Sequence, residues 1–184
     1  MCDLGNIASD KISMEVLEAW VRLNTGPALA YAYSLVRNHH TAEDMVQDCM
    51  CRLIEKKDRY DLIADGRKLL FRSITNACIN FTTRLRLVTG LDEDKGWQKS
   101  LMDVREAAPE SKALGKEMEQ KIEEGLLLLT FEQRSAIQLK VVGATTEEIA
   151  KALKITNNHA GVLVHRARQS LAKHLAPVME EQIV

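Results

Sequence analysis

The sequence predicts an all-α chain of two small helical domains, residues 1–88 and 118–184, joined by a flexible linker over residues 89–117. Three observations predict this. Apolar residues recur at helical spacing through most of the chain, and no sustained two-residue alternation marks a strand. Gly90, Gly96, Pro109 and Gly115 fall among many charges where the periodicity fades. Near the end, a short helical pattern, a three-residue turn and a longer helical pattern have the layout of a helix-turn-helix.

In chain order, Val16, Leu17, Trp20 and Val21 form a first stripe behind a Ser13 cap, as an extension of the N-terminal domain. Leu29, Ala32, Tyr33 and Val36 form a second, opened by Gly26-Pro27. Thr41-Ala42-Glu43-Asp44 has capping-box spacing and opens a third helix with Ala42, Met45, Val46, Cys49, Met50, Leu53 and Ile54 inward. A fourth runs over residues 67–87, with Leu70, Phe71, Ile74, Cys78, Phe81 and Leu85 inward. Within the linker, residues 97–104 suggest a short amphipathic piece. Helical pattern resumes at Met118, Ile122 and Leu126. Two further capping boxes, at Thr130–Gln133 and Thr145–Glu148, open helices through Ala136, Ile137 and Val141 and through Ile149, Ala150 and Leu153. After the turn Lys154-Ile155-Thr156, a long helix places Ala160, Val164, Ala167 and Leu171 on one face.

Composition narrows the function. The chain has 184 residues, 46% hydrophobic and 28% charged, enough apolar surface for real cores and too ordered a mixture for a disordered or fibrous chain. No apolar run approaches the roughly 20 residues of a membrane span, so no membrane insertion is expected. Cys2, Cys49, Cys51 and Cys78 form no CxxC pair, and a reducing cytoplasm is the expected location. Net charge is −1, yet residues 67–86 hold five basic residues (Arg67, Lys68, Arg72, Arg84, Arg86) and no acidic one. A second basic segment spans residues 131–176, and the segment between them is acidic. Two basic segments on a near-neutral chain suit two contacts with a polyanion, though solvated helix faces give the same pattern.

In a helix-turn-helix the second helix enters the major groove by its N-terminal half. Asn157, Asn158, His159, Val162, Leu163 and Arg166 are expected to face outward there, with Arg168 and Lys173 extending the basic exit. Asparagine can bond adenine with two hydrogen bonds, and arginine can bond guanine or phosphate. No phosphate-cradling glycine loop, activated nucleophile or catalytic carboxylate pair is evident, so a binding protein without enzyme activity or cofactor is expected. His39-His40 beside Glu43 reads as surface, not metal; Cys49 reads as core, and Cys51 as an inert or redox-active surface thiol.

Ala42-Glu43-Asp44-Met45-Val46-Gln47-Asp48, followed by Leu69-Leu70-Phe71-Arg72-Ser73-Ile74-Thr75-Asn76, resembles region 2 of bacterial extracytoplasmic-function (ECF, group IV) RNA polymerase sigma factors. The stretches from Thr146-Glu147-Glu148-Ile149-Ala150 to Val164-His165-Arg166-Ala167-Arg168 resemble their region 4. The resemblance implies a two-domain factor that docks on core RNA polymerase and directs it to promoter DNA. It implies that Glu43, Asp44, Gln47 and Asp48 dock on the polymerase. It implies that Arg67, Lys68, Arg72, Asn76, Asn80, Arg84 and Arg86 serve the −10 element, and that the outward residues of the last helix read the −35 element. An anti-sigma factor is the further partner implied. Lys154 replaces the usual turn glycine, Thr130 the usual proline, and Gly161 and Leu163 two usual basic positions, which bears on −35 specificity. Alternatives are a helix-turn-helix regulator acting on the duplex alone, or a sigma-like interaction protein that does not direct initiation.

Overall fold

The computed structural model describes residues 13–89 and 115–181; of the expected linker over residues 89–117, residues 90–114 with the piece at 97–104 lie outside the described residues, as do the last residues of the tail, whereas residue 89 still belongs to a helix and residues 115–117 already begin one. The described residues form seven α-helices and one short 3-10 turn, with no strand among them: α1 (Met14–Val36), α2 (His39–Glu55), the 3-10 turn (Lys57–Arg59), α3 (Gly66–Thr89), α4 (Gly115–Leu127), α5 (Phe131–Val141), α6 (Thr146–Leu153) and α7 (Asn157–Glu181).

The first two expected stripes lie on one helix. Ser13 caps α1, its hydroxyl accepting the Val16 amide at 3.3 Å, and the helix then passes through Gly26 and Pro27 without a break. Proline removes one intrahelical donor. Here Pro27 and the preceding Leu23 turn are exposed, so water reaches the carbonyl left without its partner. Leu17, Trp20, Ala28, Tyr31, Ala32 and Leu35 are buried, and that common face outweighs the proline. Val16, expected inward, is 43% exposed.

α2 begins earlier than its expected capping box. Asn38 is the cap, its Oδ1 accepting the Thr41 amide at 2.9 Å, which places Thr41 inside the first turn. The buried face is the expected one, with Ala42, Val46, Cys49, Met50 and Leu53. Between α2 and α3, Asp61 Oδ1 accepts the amides of Ile63 and Ala64 at 3.0 and 2.9 Å and turns the chain. Gly66 then starts α3 directly under the indole of Trp20, where a Cβ would lie 2.9 Å from the ring. Leu70, Phe71, Ile74 and Cys78 are buried as expected, whereas Leu85, expected inward, is 40% exposed. At the centre Tyr31 stacks on Phe71 with ring centroids 4.9 Å apart. The Tyr31 hydroxyl lies 2.6 Å from Thr75 Oγ1, whose own proton goes to the Phe71 carbonyl at 2.8 Å, so Tyr31 is the donor.

In the second unit both expected capping boxes are formed. Thr130 Oγ1 accepts the Gln133 amide and Gln133 returns the bond; Thr145 and Glu148 do the same at the start of α6. Lys154 ends α6 in the left-handed region, φ 57°, the conformation that glycine adopts without cost. α7 packs along α4, α5 and α6, with Ala160 and Ala167 fully buried at the crossings. The two units are not separate bodies. α5 and α6 pack against α1 and α3, and one cluster of buried residues runs through both units.

Candidate functional site

Three surfaces gather the residues singled out from the sequence. On α2, Glu43, Asp44, Gln47 and Asp48 are all exposed, opposite the buried Val46–Met50 face. Asp48 is already paired along the helix with Arg52 at 2.9 Å, and His40 lies 3.9 Å from Glu43. Both pairs are open to water and contribute little to stability. They leave an acidic ridge that a basic partner helix can meet. His39 is stacked on Tyr33 at 4.1 Å, and among the described residues no group of three His, Cys, Asp or Glu converges to hold a metal.

The second surface is an open polar pocket between the end of α2 and the middle of α3. Asn76 and Asn80 line it together with Arg52, Lys56, Tyr60 and Ser73. The asparagines were singled out from the sequence; Arg52 and Lys56 were not, because their approach depends on how α2 and the 3-10 turn pack across α3, and Ser73 was not, although it stands three residues before Asn76 on α3. Tyr60 is 43% exposed and supplies the flat face that an unstacked base needs, while the amides and hydroxyl supply hydrogen bonds. The basic residues of α3 divide. Arg67 lies over the Phe71 ring at 5.8 Å and Arg84 is exposed, while Arg72 is half-buried. The Arg86 side chain lies outside the described residues. Lys68 turns away to Asp65 at 3.1 Å and to Glu148 of α6 at 3.2 Å. These two carboxylates, Asp65 first, hold its ammonium above the ordinary lysine range.

The third surface is the exposed face of α7. Asn157, Asn158, Val162, His165, Arg166 and Gln169 line one shallow strip with Gly161 among them; His159 and Arg168 are also exposed. His165 and Gln169 were not among the residues expected to face DNA, although four-residue steps from Asn157 through Gly161 lead to them. Leu163 corrects the expectation. It is only 7% exposed and belongs to the buried cluster with Ala160 and Val164, so the apolar residue at that position serves the core.

Between these surfaces lies a residue the sequence did not single out. Arg134 of α5 is only 7% exposed, yet among the described residues no carboxylate pairs with it. Its guanidinium donates to the carbonyls of Leu126 at 2.7 Å, Leu129 at 3.0 Å and Leu127 at 3.3 Å, and to the carbonyl of Ser34 at the end of α1. Helix C-termini leave carbonyls without partners and carry partial negative charge. Neither α1 nor α4 has a basic residue in its last turn, and Arg134 supplies the cation to both. Burial, with Arg37 nearby, lowers its pKa to about 10, which still leaves it charged at neutral pH.

Comparison with known proteins fits these surfaces. Residues 20–87 match the family Sigma-70 region 2. The chain is 26% identical over 149 residues to the ECF RNA polymerase sigma factor SigW of Bacillus subtilis, across 78% of this chain and 80% of that protein. The likeness is to ECF sigma factors. SigX of the same organism is 22% identical over 157 residues, across 82% of this chain and 79% of that one. In fold, the chain resembles the sigma factor RpoE of Bartonella quintana, solved with the anti-sigma factor NepR. That similarity has a TM-score of 0.59 at 22% identity and covers 89% of this chain and 98% of the other. The acidic ridge and the Asn76–Asn80 pocket both lie within the segment that matches region 2, and the helix-turn-helix follows it. No helix among the described residues is long and apolar enough to cross a membrane.

Proposed function

We propose that this chain is a group IV sigma factor that binds core RNA polymerase and directs it to promoters in the cytoplasm. The observation that carries this is one juxtaposition. A polar pocket with an exposed aromatic sits in the segment matching region 2, and a helix with exposed asparagines and an arginine follows in a helix-turn-helix.

Each surface has a chemical task. The ridge of Glu43, Asp44, Gln47 and Asp48 pairs with a basic helix of the polymerase, which would steer association and fix its register. The pocket around Asn76 and Asn80 holds a base of the opened −10 element on Tyr60, with Arg67, Arg72 and Arg84 following the backbone. On α7, Asn157, Asn158 and Arg166 read base edges of the −35 duplex, His159 and Arg168 lie near the phosphates, and Val162 offers an apolar contact to a thymine methyl. The polymerase performs the chemistry, and the chain needs no cofactor. An anti-sigma factor is the regulator this reading calls for.

The test is transcription by core polymerase with and without this chain, on a library of upstream regions from its source organism. New transcripts with defined starts, lost with Asp48→Arg, support the reading. Sequence-specific duplex binding by the free chain, with no polymerase dependence, would instead identify a helix-turn-helix regulator. Capture of a partner without either activity would identify a sequestering protein.

A further inference from the structure

We infer that Met45, Cys49 and Cys78 form a three-sulfur site for a soft monovalent ion, Cu(I), at the seam between α2 and α3. Histidine, cysteine and acidic residues alone do not converge in threes among the described residues, but a methionine sulfur joins two buried thiols here. The Cys78 thiol donates to Met45 Sδ, with the two sulfurs 3.7 Å apart. Cys49 stands four residues after Met45, one turn along the same face of α2. Burial raises the Cys78 thiol most, and Cys49 lies close enough to raise it further. Cys49 and Cys78 are buried and Met45 is half-buried.

The spacing is that of two ligands on one ion. Sulfur donors about 2.3 Å from a metal stand about 3.8 Å apart at tetrahedral angles and about 4.0 Å apart in a trigonal plane. Exchanging the thiol proton for a metal ion therefore keeps the Met45 thioether on its target with little movement of α2 against α3.

The donors select the metal. Two thiolates and a thioether are soft, which favours Cu(I) over hard cations and over Zn(II), an ion that takes four ligands. Two thiol protons leave as one Cu(I) enters, so the site passes from neutral to a single negative charge. Burial disfavours a thiolate at Cys49, and Arg52 nearby favours it. Cys49 also lines the open pocket with Arg52, Ser73, Asn76 and Asn80, which gives the ion a path in. Once bound to both cysteines, the ion ties α2 to α3.

The experiment titrates Cu(I), delivered without oxygen as its acetonitrile complex, into the full-length chain carrying Cys2→Ser and Cys51→Ser. The chromogenic chelator bicinchoninate competes for the metal. One ion per chain is expected to leave the chelator, and excess Zn(II) should fail to displace it. X-ray absorption at the copper edge should show sulfur neighbours alone, three of them at about 2.3 Å. Met45→Leu preserves volume while removing one donor, and should weaken binding at least about tenfold. Cys49→Ala and Cys78→Ala should each abolish uptake. Copper should raise the melting temperature of the parent and of neither cysteine variant. No uptake by the parent overturns the inference. So do nitrogen or oxygen neighbours in the spectrum, displacement by Zn(II), or a Met45→Leu variant that binds as tightly as the parent. Copper binding and its spectrum need no polymerase and no DNA, so their outcome is independent of whether the chain directs transcription.

Discussion

The Ser34 carbonyl at the end of α1 accepts a hydrogen bond from the Arg134 guanidinium of α5, 100 residues further along the chain. Arginine suits this position because its rigid fork of donors meets several carbonyls at once, and the ends of two helices favour its charge.

Replacement of Arg134 by alanine is expected to destabilise the chain by about 3 kcal/mol, since it strips partners from carbonyls at the end of α4 and just beyond it. Arg134→Lys should recover only part of this, a lysine ammonium being a point charge without the fork. Urea unfolding of the three proteins measures both differences; equal stability of the alanine variant and the parent would refute the role assigned to this residue.

Two glycines of the second unit should respond with opposite sign. Gly161 faces open space on α7, and Gly161→Ala is expected to stabilise by about 1 kcal/mol. A Cβ on Gly125 would lie 2.9 Å from the His174 ring and 3.0 Å from Leu171, so Gly125→Ala should destabilise by forcing α4 off α7. Thermal melts of the pair provide the comparison. Lys154→Gly, which relieves a left-handed lysine, should add roughly 0.5–1 kcal/mol.

Burial raises the Cys49 thiol to about 11 and the Cys78 thiol to about 12, against an ordinary value of 9.0. The folded chain therefore keeps these protons where the unfolded chain releases them. Their stabilising effect is complete below pH 9 and is lost as pH rises through 9 towards 12. A loss on the order of 2 kcal/mol per thiol is expected between pH 8 and pH 10.5, read by urea unfolding at each pH. Under native conditions at neutral pH, Cys51 should be alkylated well before Cys49 and Cys78, as peptide mapping would show.

Asp48→Arg is expected to lower affinity for core polymerase at least tenfold while leaving the melting temperature nearly unchanged. The carboxylate is solvent-exposed, and among the described residues its one ion pair is with Arg52 on the same helix. A binding titration and a melt separate the two effects.

Local chemistry was the legible part of the fold. The boxes at Thr130 and Thr145 and the turn at Lys154 are set by neighbours three residues away, and they form as their spacing predicts. The acidic ridge was legible for the same reason: exposure on α2 follows from helical period alone. Where distant packing competes, the pattern misled. Gly26-Pro27 reads as a break, but a shared buried face carries α1 across it. Leu163 reads as outward from its place beside Val162, yet it is buried in the cluster that also holds Ala160 and Val164. The pocket was half legible. Asn76 and Asn80 share one face of α3, but Arg52 and Lys56 reach it only through the fold-back after α2. Arg134 carried no signal, since its partners are backbone carbonyls, which every sequence contains.

The unbroken course of α1 has a mechanical consequence. A 23-residue helix is a beam roughly 35 Å long at about 1.5 Å per residue. Trp20, near one end, is wedged against the start of α3, and Ser34, near the other, meets α5. A chain articulated at Gly26-Pro27 would let these ends drift independently. A continuous beam makes a tilt imposed at the Trp20 end arrive at Ser34 as a displacement, with the intervening length as the lever arm.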